Sequence, residues 1–440
     1  MRTPVWDFVR AYAASKTERL HMPGHKGVGE LEKYDITEVK GADSLYEADG
    51  IIAESEAYAS ELFGARTFYS TEGSSLAIRA MLFLARLSAS AEGKKPIVLA
   101  GRNAHRVFIS AAALLDLEVA WLPSGGSYMS SAPSAAELCS IIDGMSEKPC
   151  AVYLTSPDYL GATADIRAIS EVCRERGIFL LVDNAHGAYL KFLSPSRHPM
   201  DLGADMCADS AHKTLPTLTG GAYLHISKSL PTELADRAKQ ALALFGSTSP
   251  SYLILASLDK TNAYLASDFS KDLTTIIDKT AHIKRRLIGK GYTLYGDEEL
   301  KITVDAAKYG YTGYELADAL RMAGGECEMA DPDYLVVMLS PMSKRPDILL
   351  DALLPLKRRE QLQGRPEYIP SAERVLSVRE AMLSPSVTLP ARECVGRILA
   401  TPDAACPPAV PIIMPGERIS KEHIPALLYY GKDTLSVVRE

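Results

Sequence analysis

From about Glu54 onward, short apolar runs alternate with stretches of helical period. The runs predict buried strands at Pro96–Ala100, Glu118–Leu122, Ala151–Thr155, Ile178–Val182 and Asp205–Ala208. Between two of them, the spacing predicts a helix from Asp165 to Arg176. Ile166, Ile169, Val172 and Cys173 share one face of it, and Gly177 stands where a C-terminal cap belongs. Strand, helix and strand in that order form a βαβ unit. Several such units predict an α/β domain with a mainly parallel sheet covered by helices on both faces.

The flanks read differently. The first fifty residues, rich in glycine, proline and charge, predict an irregular arm with short helices. Beyond Leu253 the pattern turns helical through Ile276, Ile277, Ile283 and Leu287. A second α/β pattern follows, with strands at Lys301–Val304 and Tyr334–Leu339 and a helix from Tyr314 to Met322. The expected organisation is an arm over 1–53, a large domain over 54–275 and a smaller α/β domain over 276–440. The Pro-rich stretch Thr401–Pro415 predicts a loop on the surface or at an interface.

Composition narrows the function classes. The 440-residue chain has a formal net charge of -7 and a hydrophobic fraction of 47%, with a mean hydropathy of -0.02. Nothing in this balance matches nucleic acid or an anionic membrane. No apolar run is long enough to span a bilayer, and Met1–Arg10 does not read as a signal peptide. The seven cysteines include no C-x-x-C pair, which argues against a disulfide framework or a zinc site and fits a reducing cytoplasm.

In open parallel sheets, ligands bind at the carboxyl ends of the strands. The predicted strand ends are followed by Asp183-Asn184-Ala185-His186-Gly187, by Asp209-Ser210-Ala211-His212-Lys213-Thr214 and by Gly101-Arg102-Asn103-Ala104-His105. They bring a carboxylate, a lysine and several histidines to one rim. Pyridoxal 5'-phosphate (PLP) chemistry needs that set. A lysine forms an imine with the cofactor aldehyde, a carboxylate keeps the pyridine nitrogen protonated, and an aromatic or imidazole ring stacks on the face. Gly73-Ser74-Ser75, before the apolar helical run Leu76–Leu87, supplies a helix start for the phosphate, with Ser210 and His212 as further donors. Singly, each group has an ordinary structural role as a turn residue, cap or solvated side chain. Their recurrence at consecutive strand ends favours a PLP site.

The sequence resembles the ornithine/lysine/arginine decarboxylases of the aspartate-aminotransferase fold, fold type I, over almost its whole length. His21-Met22-Pro23-Gly24-His25-Lys26-Gly27 is similar to that family's P-G-H-K motif, and Asp35–Val39 and Ala42–Leu45 follow as in the family pattern. Asn103-Ala104-His105 resembles its N-x-H segment, Asp183–Gly187 its D-x-A-H-G, and Ser210–Pro216 its S-x-H-K-T-L-P. Ser247–Tyr252 resembles its T-S-P-S-Y element, and Glu393–Arg397 and Pro415-Gly416-Glu417 its C-terminal domain. One departure is Glu72, which stands where the family often has asparagine; a carboxylate there opposes a phosphate unless it points away.

The resemblance implies a short form, lacking the receiver-like domain of long members. It implies a homodimer, or a multiple of one, with active sites shared between subunits. It implies that Lys213 carries PLP, His105 stacks on its ring, Asp183 pairs with the pyridine nitrogen and His186 lies near the phenolic oxygen. Ser247 or Thr248 is expected at the neighbouring subunit's phosphate. The activity implied is decarboxylation of arginine, lysine or ornithine to an amine, with His212 or Lys213 returning the proton. Glu417 and Asp43 are candidates for holding the substrate's distal cation. Three alternatives remain open at this point: an aminotransferase or α-oxoamine synthase, a decarboxylase of a non-basic amino acid, and a non-catalytic PLP-fold binding protein. The P-G-H-K and C-terminal matches argue against the first, and intact Lys213, Asp183 and His105 against the last.

Overall fold

A computed structural model describes residues 1–123, 128–366, 369–403 and 408–439. Seven strands form the main sheet: β1 Arg66–Ser70, β2 Ile97–Ala100, β3 Glu118–Trp121, β4 Ala151–Thr155, β5 Phe179–Asp183, β6 Met206–Asp209 and β7 Ala222–Ile226. Their spatial order is β1-β7-β6-β5-β4-β2-β3. The sheet is mostly parallel, as expected: β2 pairs with β3, and β5 with β6, in parallel, while β7 runs antiparallel to β6 and β1. The five expected strands are present, with ends displaced by at most a residue. The sequence reading missed β1 and β7. Arg66 and Thr67 make β1 look polar, and His225 interrupts the apolar run of β7, although every residue of β7 is buried.

The described residues group into two compact units. The first comprises 1–94, 150–152 and 166–271; the second comprises 95–149, 153–165 and 272–440. In the first unit, the N-terminal arm contains more regular structure than expected. Helix Pro4–Ala14 buries Val5 and Val9 completely, packing on helices Ile51–Phe63 and Tyr252–Leu265. Its N-terminus has no cap from Thr3. Instead, Asp259 accepts the Trp6 N–H at 3.0 Å and the Ser55 hydroxyl at 2.5 Å.

Asp43 organises the rest of the arm. Its carboxylate accepts backbone N–H groups of Ser44 at 3.0 Å, Asp49 at 3.2 Å, Gly50 at 2.9 Å and Ile52 at 3.0 Å. The last two open helix Ile51–Phe63, whose Gly50 cap has no side chain to do this itself.

In the second unit, β8 Thr293–Tyr295, β9 Lys301–Asp305, β10 Met329–Ala330 and β11 Tyr334–Met338 form an antiparallel sheet ordered β10-β11-β9-β8. Helix Gly313–Met322 connects its two halves, with Thr312 and Glu315 forming a capping box. A ribbon of β12 Ser386–Pro390 and β13 Thr434–Val438 contributes to a separate core containing Leu399, Ile412, Ile413, Ile419, Leu427 and Val437. The expected loop over Thr401–Pro415 has no regular secondary structure among its described residues, but its second half is buried rather than on the surface. Residues 404–407 lie outside the described residues, but Ala409, Val410, Ile412, Ile413 and Met414 are buried. Their side chains are apolar, which outweighs the lack of regular backbone structure.

No helix among the described residues is long and apolar enough to cross a membrane. The six cysteines in this set are free; Cys406 lies outside it.

Burial raises the Asp259 carboxyl to about 6, against the lowering effect of its hydrogen bonds. The folded protein therefore retains a proton there that the unfolded chain releases near 3.8. The corresponding stability is fully present below pH 3.8 and is lost as pH rises through about 6. Urea unfolding of the parent and of Asp259→Asn should reveal it. Across that window, the parent should lose about 3 kcal/mol relative to the variant; parallel pH profiles would contradict this.

Candidate active site

The carboxyl ends of β5 and β6 lie side by side, with Asp183 opposite Ala208 in the parallel register. Asp183, the last residue of β5, is 2% exposed, and its Oδ1 accepts the Ala185 N–H at 3.2 Å. The chain then turns tightly, with Gly187 N–H donating to the Asn184 carbonyl at 2.8 Å. His186 sits in this turn and is buried. On the neighbouring strand end, Ser210 precedes the short helix Ala211–Thr214, which carries Lys213. Lys213 Nζ lies 3.0 Å from His186 Nε2. The structure thus brings Asp183, His186, Ser210 and Lys213 to one edge of the first unit.

Gly73, Ser74 and Ser75 open the 19-residue helix Gly73–Ala91. Gly73 adopts φ +70°, a conformation that favours glycine, and a Cβ there would face His212 Cε1 at 3.9 Å. Glu72, the residue before the helix, makes no side-chain cap; the Gly73 N–H is spent on the Gly220 carbonyl at 2.7 Å, so the anion-binding potential of this helix start rests on the N–H groups of Ser74 and Ser75. Ser210 Oγ donates to Ser74 Oγ at 2.8 Å, joining the two phosphate-donor segments proposed from sequence.

His212 Nδ1 lies 3.0 Å from the Gly221 carbonyl, which can only accept. The proton of the neutral ring is therefore on Nδ1, leaving Nε2 as an acceptor. Burial first, and then the charge of Lys213, lower its pKa, while the Gly221 bond raises it. The neutral imidazole has no second N–H for a phosphate.

Glu72 turns outward, which lessens its conflict with a phosphate without removing its charge from the edge of the cradle. It is exposed, and its Oε1 accepts the Ser247 N–H at 2.6 Å. Ser247 and Thr248 are themselves exposed.

His105 belongs to the second unit, where it caps helix Arg106–Leu115 by accepting the Val107 N–H at 3.2 Å on Nδ1. Its turn is clamped by the C-terminal segment. Arg102 forms a bidentate pair with Glu417 at 2.7 and 2.9 Å, and Arg106 N–H donates to the Ala409 carbonyl at 2.9 Å. Glu417, 3% exposed, also accepts the Met414 N–H at 2.8 Å. Both carboxylates considered for the substrate's distal cation, Glu417 and Asp43, are thus engaged by groups of their own units.

The family described as "Orn/Lys/Arg decarboxylase, major domain" matches residues 3–303. The chain belongs to the Orn/Lys/Arg decarboxylase family. The decarboxylase is 30% identical to the uncharacterized protein YaaO of Bacillus subtilis (strain 168), over 97% of this chain and 94% of that protein. It is 28% identical to an arginine decarboxylase of Halalkalibacterium halodurans, over 96% of this chain and 92% of that enzyme. Its fold matches the Francisella novicida lysine decarboxylase LdcF with a TM-score of 0.79 at 18% identity, covering 99% of this chain and 81% of that one. The decarboxylase is therefore a fold type I enzyme that uses pyridoxal 5'-phosphate to remove the carboxylate of a basic amino acid.

The site fits that cofactor. The uncapped helix start, the open space at Gly73 and the facing hydroxyls of Ser74 and Ser210 suit a phosphate. A lysine amine and a buried carboxylate stand on adjoining strand ends. Several contributors were missed by the sequence reading. Arg102 and Asn184 lie inside motifs that were recognised for their neighbours, and Gly221 lies before the unrecognised β7. His198 and His225 belong to no local motif; they meet at Asp209 only in three dimensions.

Glu72 places a negative charge next to the phosphate cradle, so neutralising it should tighten PLP binding. Titration of apo-protein with PLP, followed by absorbance, should give Glu72→Gln a dissociation constant about threefold lower at low salt, with the gap narrowing as salt is added. Equal affinities at low salt would place the Glu72 charge out of reach of the phosphate.

Proposed function

We propose that Lys213 holds PLP as an imine, that Asp183 keeps its pyridine nitrogen protonated, and that His105 stacks on its ring. The observation carrying this reading is the placement of Lys213 Nζ 3.0 Å from His186 Nε2, on the strand end beside Asp183. Bound there, the cofactor supplies an electron sink for the pair left behind by the departing carboxylate. The buried Asp183 carboxylate is acceptor-only, and so suits a protonated ring nitrogen. His186 has the reach to orient the lysine amine and the phenolic oxygen expected near it. Gly73, Ser74, Ser75 and Ser210 hold the phosphate, with Ser247 or Thr248 of a second subunit completing the cradle. The exposure of Ser247 and Thr248 supports this sharing, and with it a homodimer.

Lys213, which would hold the cofactor at rest, would be free to move a proton once the substrate's α-amine is bound. Between His212 and Lys213, the proton returned to the α-carbon comes from Lys213, because neutral His212 has its N–H on Gly221. His212 instead offers Nε2 as an acceptor beside the cofactor.

Arginine is the preferred substrate, ahead of lysine and ornithine. The relatives named arginine decarboxylase support this order. A role in polyamine biosynthesis fits the amine products such a reaction would give, and the free cysteines among the described residues suit a cytoplasmic setting. The distal cation needs buried acceptors, since an unpartnered charge costs several kcal/mol. Asp43 and Glu417 are already engaged, so other groups fill that role.

The test is a panel of arginine, lysine, ornithine, norleucine and leucine, with CO₂, amine and keto acid measured for each. Arginine or lysine should exceed norleucine in kcat/KM by about a hundredfold or more, because an apolar isostere leaves the distal acceptors unpaired. Preferential turnover of norleucine or leucine would mean an apolar distal pocket. Keto acid without CO₂ would mean transamination.

A further inference from the structure

Asp209 ends β6 and is fully buried. Its carboxylate gathers four donors from separate parts of the first unit. Oδ1 accepts Asn184 Nδ2 at 2.7 Å and the Cys207 thiol at 3.4 Å. Oδ2 accepts His198 Nε2 at 3.0 Å and His225 Nε2 at 3.2 Å. The other nitrogen of each imidazole is also engaged. His198 Nδ1 accepts the Met200 N–H at 3.3 Å, and His225 Nδ1 lies 2.9 Å from the Thr67 hydroxyl. Burial alone would raise the carboxyl, but the two imidazoles more than offset it and hold Asp209 far below the usual carboxylate range.

The bond to Asn184 connects this buried anion to the active site. Asn184 directly follows Asp183, and its N–H donates to the Ala208 carbonyl at 3.0 Å. Its side chain can lie where it does because residue 187 is glycine: a Cβ there would stand 2.0 Å from Asn184 Oδ1. The turn 184–187 carries His186, and the segment after Asp209 carries Lys213. Two rungs therefore join the same two loops: Asn184–Asp209 at 2.7 Å and His186–Lys213 at 3.0 Å. The first is buried and charge-assisted, and so is the stronger of the two.

We infer that Asp209 is a positioning residue, whose ionised carboxylate, acting through Asn184, sets the spacing between the Asp183–His186 turn and Lys213. This rests on the reading of Lys213 as the cofactor lysine. A metal centre is the rival explanation, since ligand atoms of His198, Cys207 and Asp209 lie within 4.8 Å of one another. The hydrogen-bond pattern opposes it. Both Nε2 atoms point their protons at Asp209, and a coordinating nitrogen must present a lone pair.

The test is a swap of the rung's polarity in the PLP-loaded enzyme. Asn184→Asp sets two carboxylates against each other. Asp209→Asn in the same chain restores a donor and an acceptor while leaving one oxygen for the histidines. Asn184→Asp alone should lower kcat about tenfold or more with KM changed less than about threefold, and should shift the pH midpoint of the cofactor absorbance band; the double variant should recover most of both. Asn184→Ala removes the rung without adding charge. It should also shift the absorbance midpoint, and it serves as the deciding variant if Asn184→Asp does not fold.

An unchanged kcat and absorbance midpoint in a folded single variant that only melts earlier would overturn the inference, leaving Asp209 a purely structural anchor. Stoichiometric zinc in the purified protein would overturn it in favour of a metal centre. Mapping the reduced cofactor adduct in the parent separates the cofactor reading from the positioning role. An adduct away from Lys213 removes the cofactor reading itself, whereas an adduct on Lys213 with unchanged variants removes only the positioning role.

Discussion

The buried hydrogen bond between Asn184 and the Asp209 carboxylate fixes how two strand ends approach each other, and the active-site chemistry depends on that approach. A parallel sheet aligns β5 and β6 but leaves the loops beyond them free to diverge. Here the loops are held at their base by an anion that His198 and His225 keep ionised, and further along by the contact of His186 with Lys213. A lysine nucleophile requires such control, because a small displacement of a reacting atom has a large effect on rate. Asp183 adjoins this strap, and its Oδ1 accepts the Ala185 N–H within the same turn.

The same logic recurs elsewhere in the chain. Buried carboxylates act as organisers of backbone: Asp43 gathers the N–H groups of the arm, Asp259 holds the first helix, and Glu417 secures the turn that carries His105 through Arg102. Each removes an acidic residue from the pool available to a cationic substrate. The sequence offered Asp43 and Glu417 as such acceptors because both lie in recognised motifs. A motif marks a residue as constrained, yet it does not distinguish a ligand-binding carboxylate from one that binds its own backbone.

Much of the site was legible in the sequence, for a physical reason. Asp183 stands immediately after one apolar strand run and Lys213 a few residues after the next, and a parallel sheet places such positions on one edge. The parts that escaped depend on convergence between distant segments. β1 and β7 escaped because Arg66 and His225 disguise them, and His225 makes sense only once Asp209 and Thr67 are beside it. The outward turn of Glu72 depends on Ser247, far away in sequence. The buried course of Ala409–Met414 reflects apolar side chains entering a core built from β12, β13 and neighbouring segments, which a proline-based reading of loops misses.

Everything proposed for the chemistry requires that Lys213 be the residue to which the cofactor attaches. Reduction of the PLP-loaded enzyme with borohydride, followed by proteolysis and mass spectrometry of the peptides, tests it without relying on turnover. The expected result is one pyridoxyl group per chain, on Lys213. A pyridoxyl group on Lys191 or Lys26 instead, or a stable label that survives unchanged in Lys213→Ala, would contradict it.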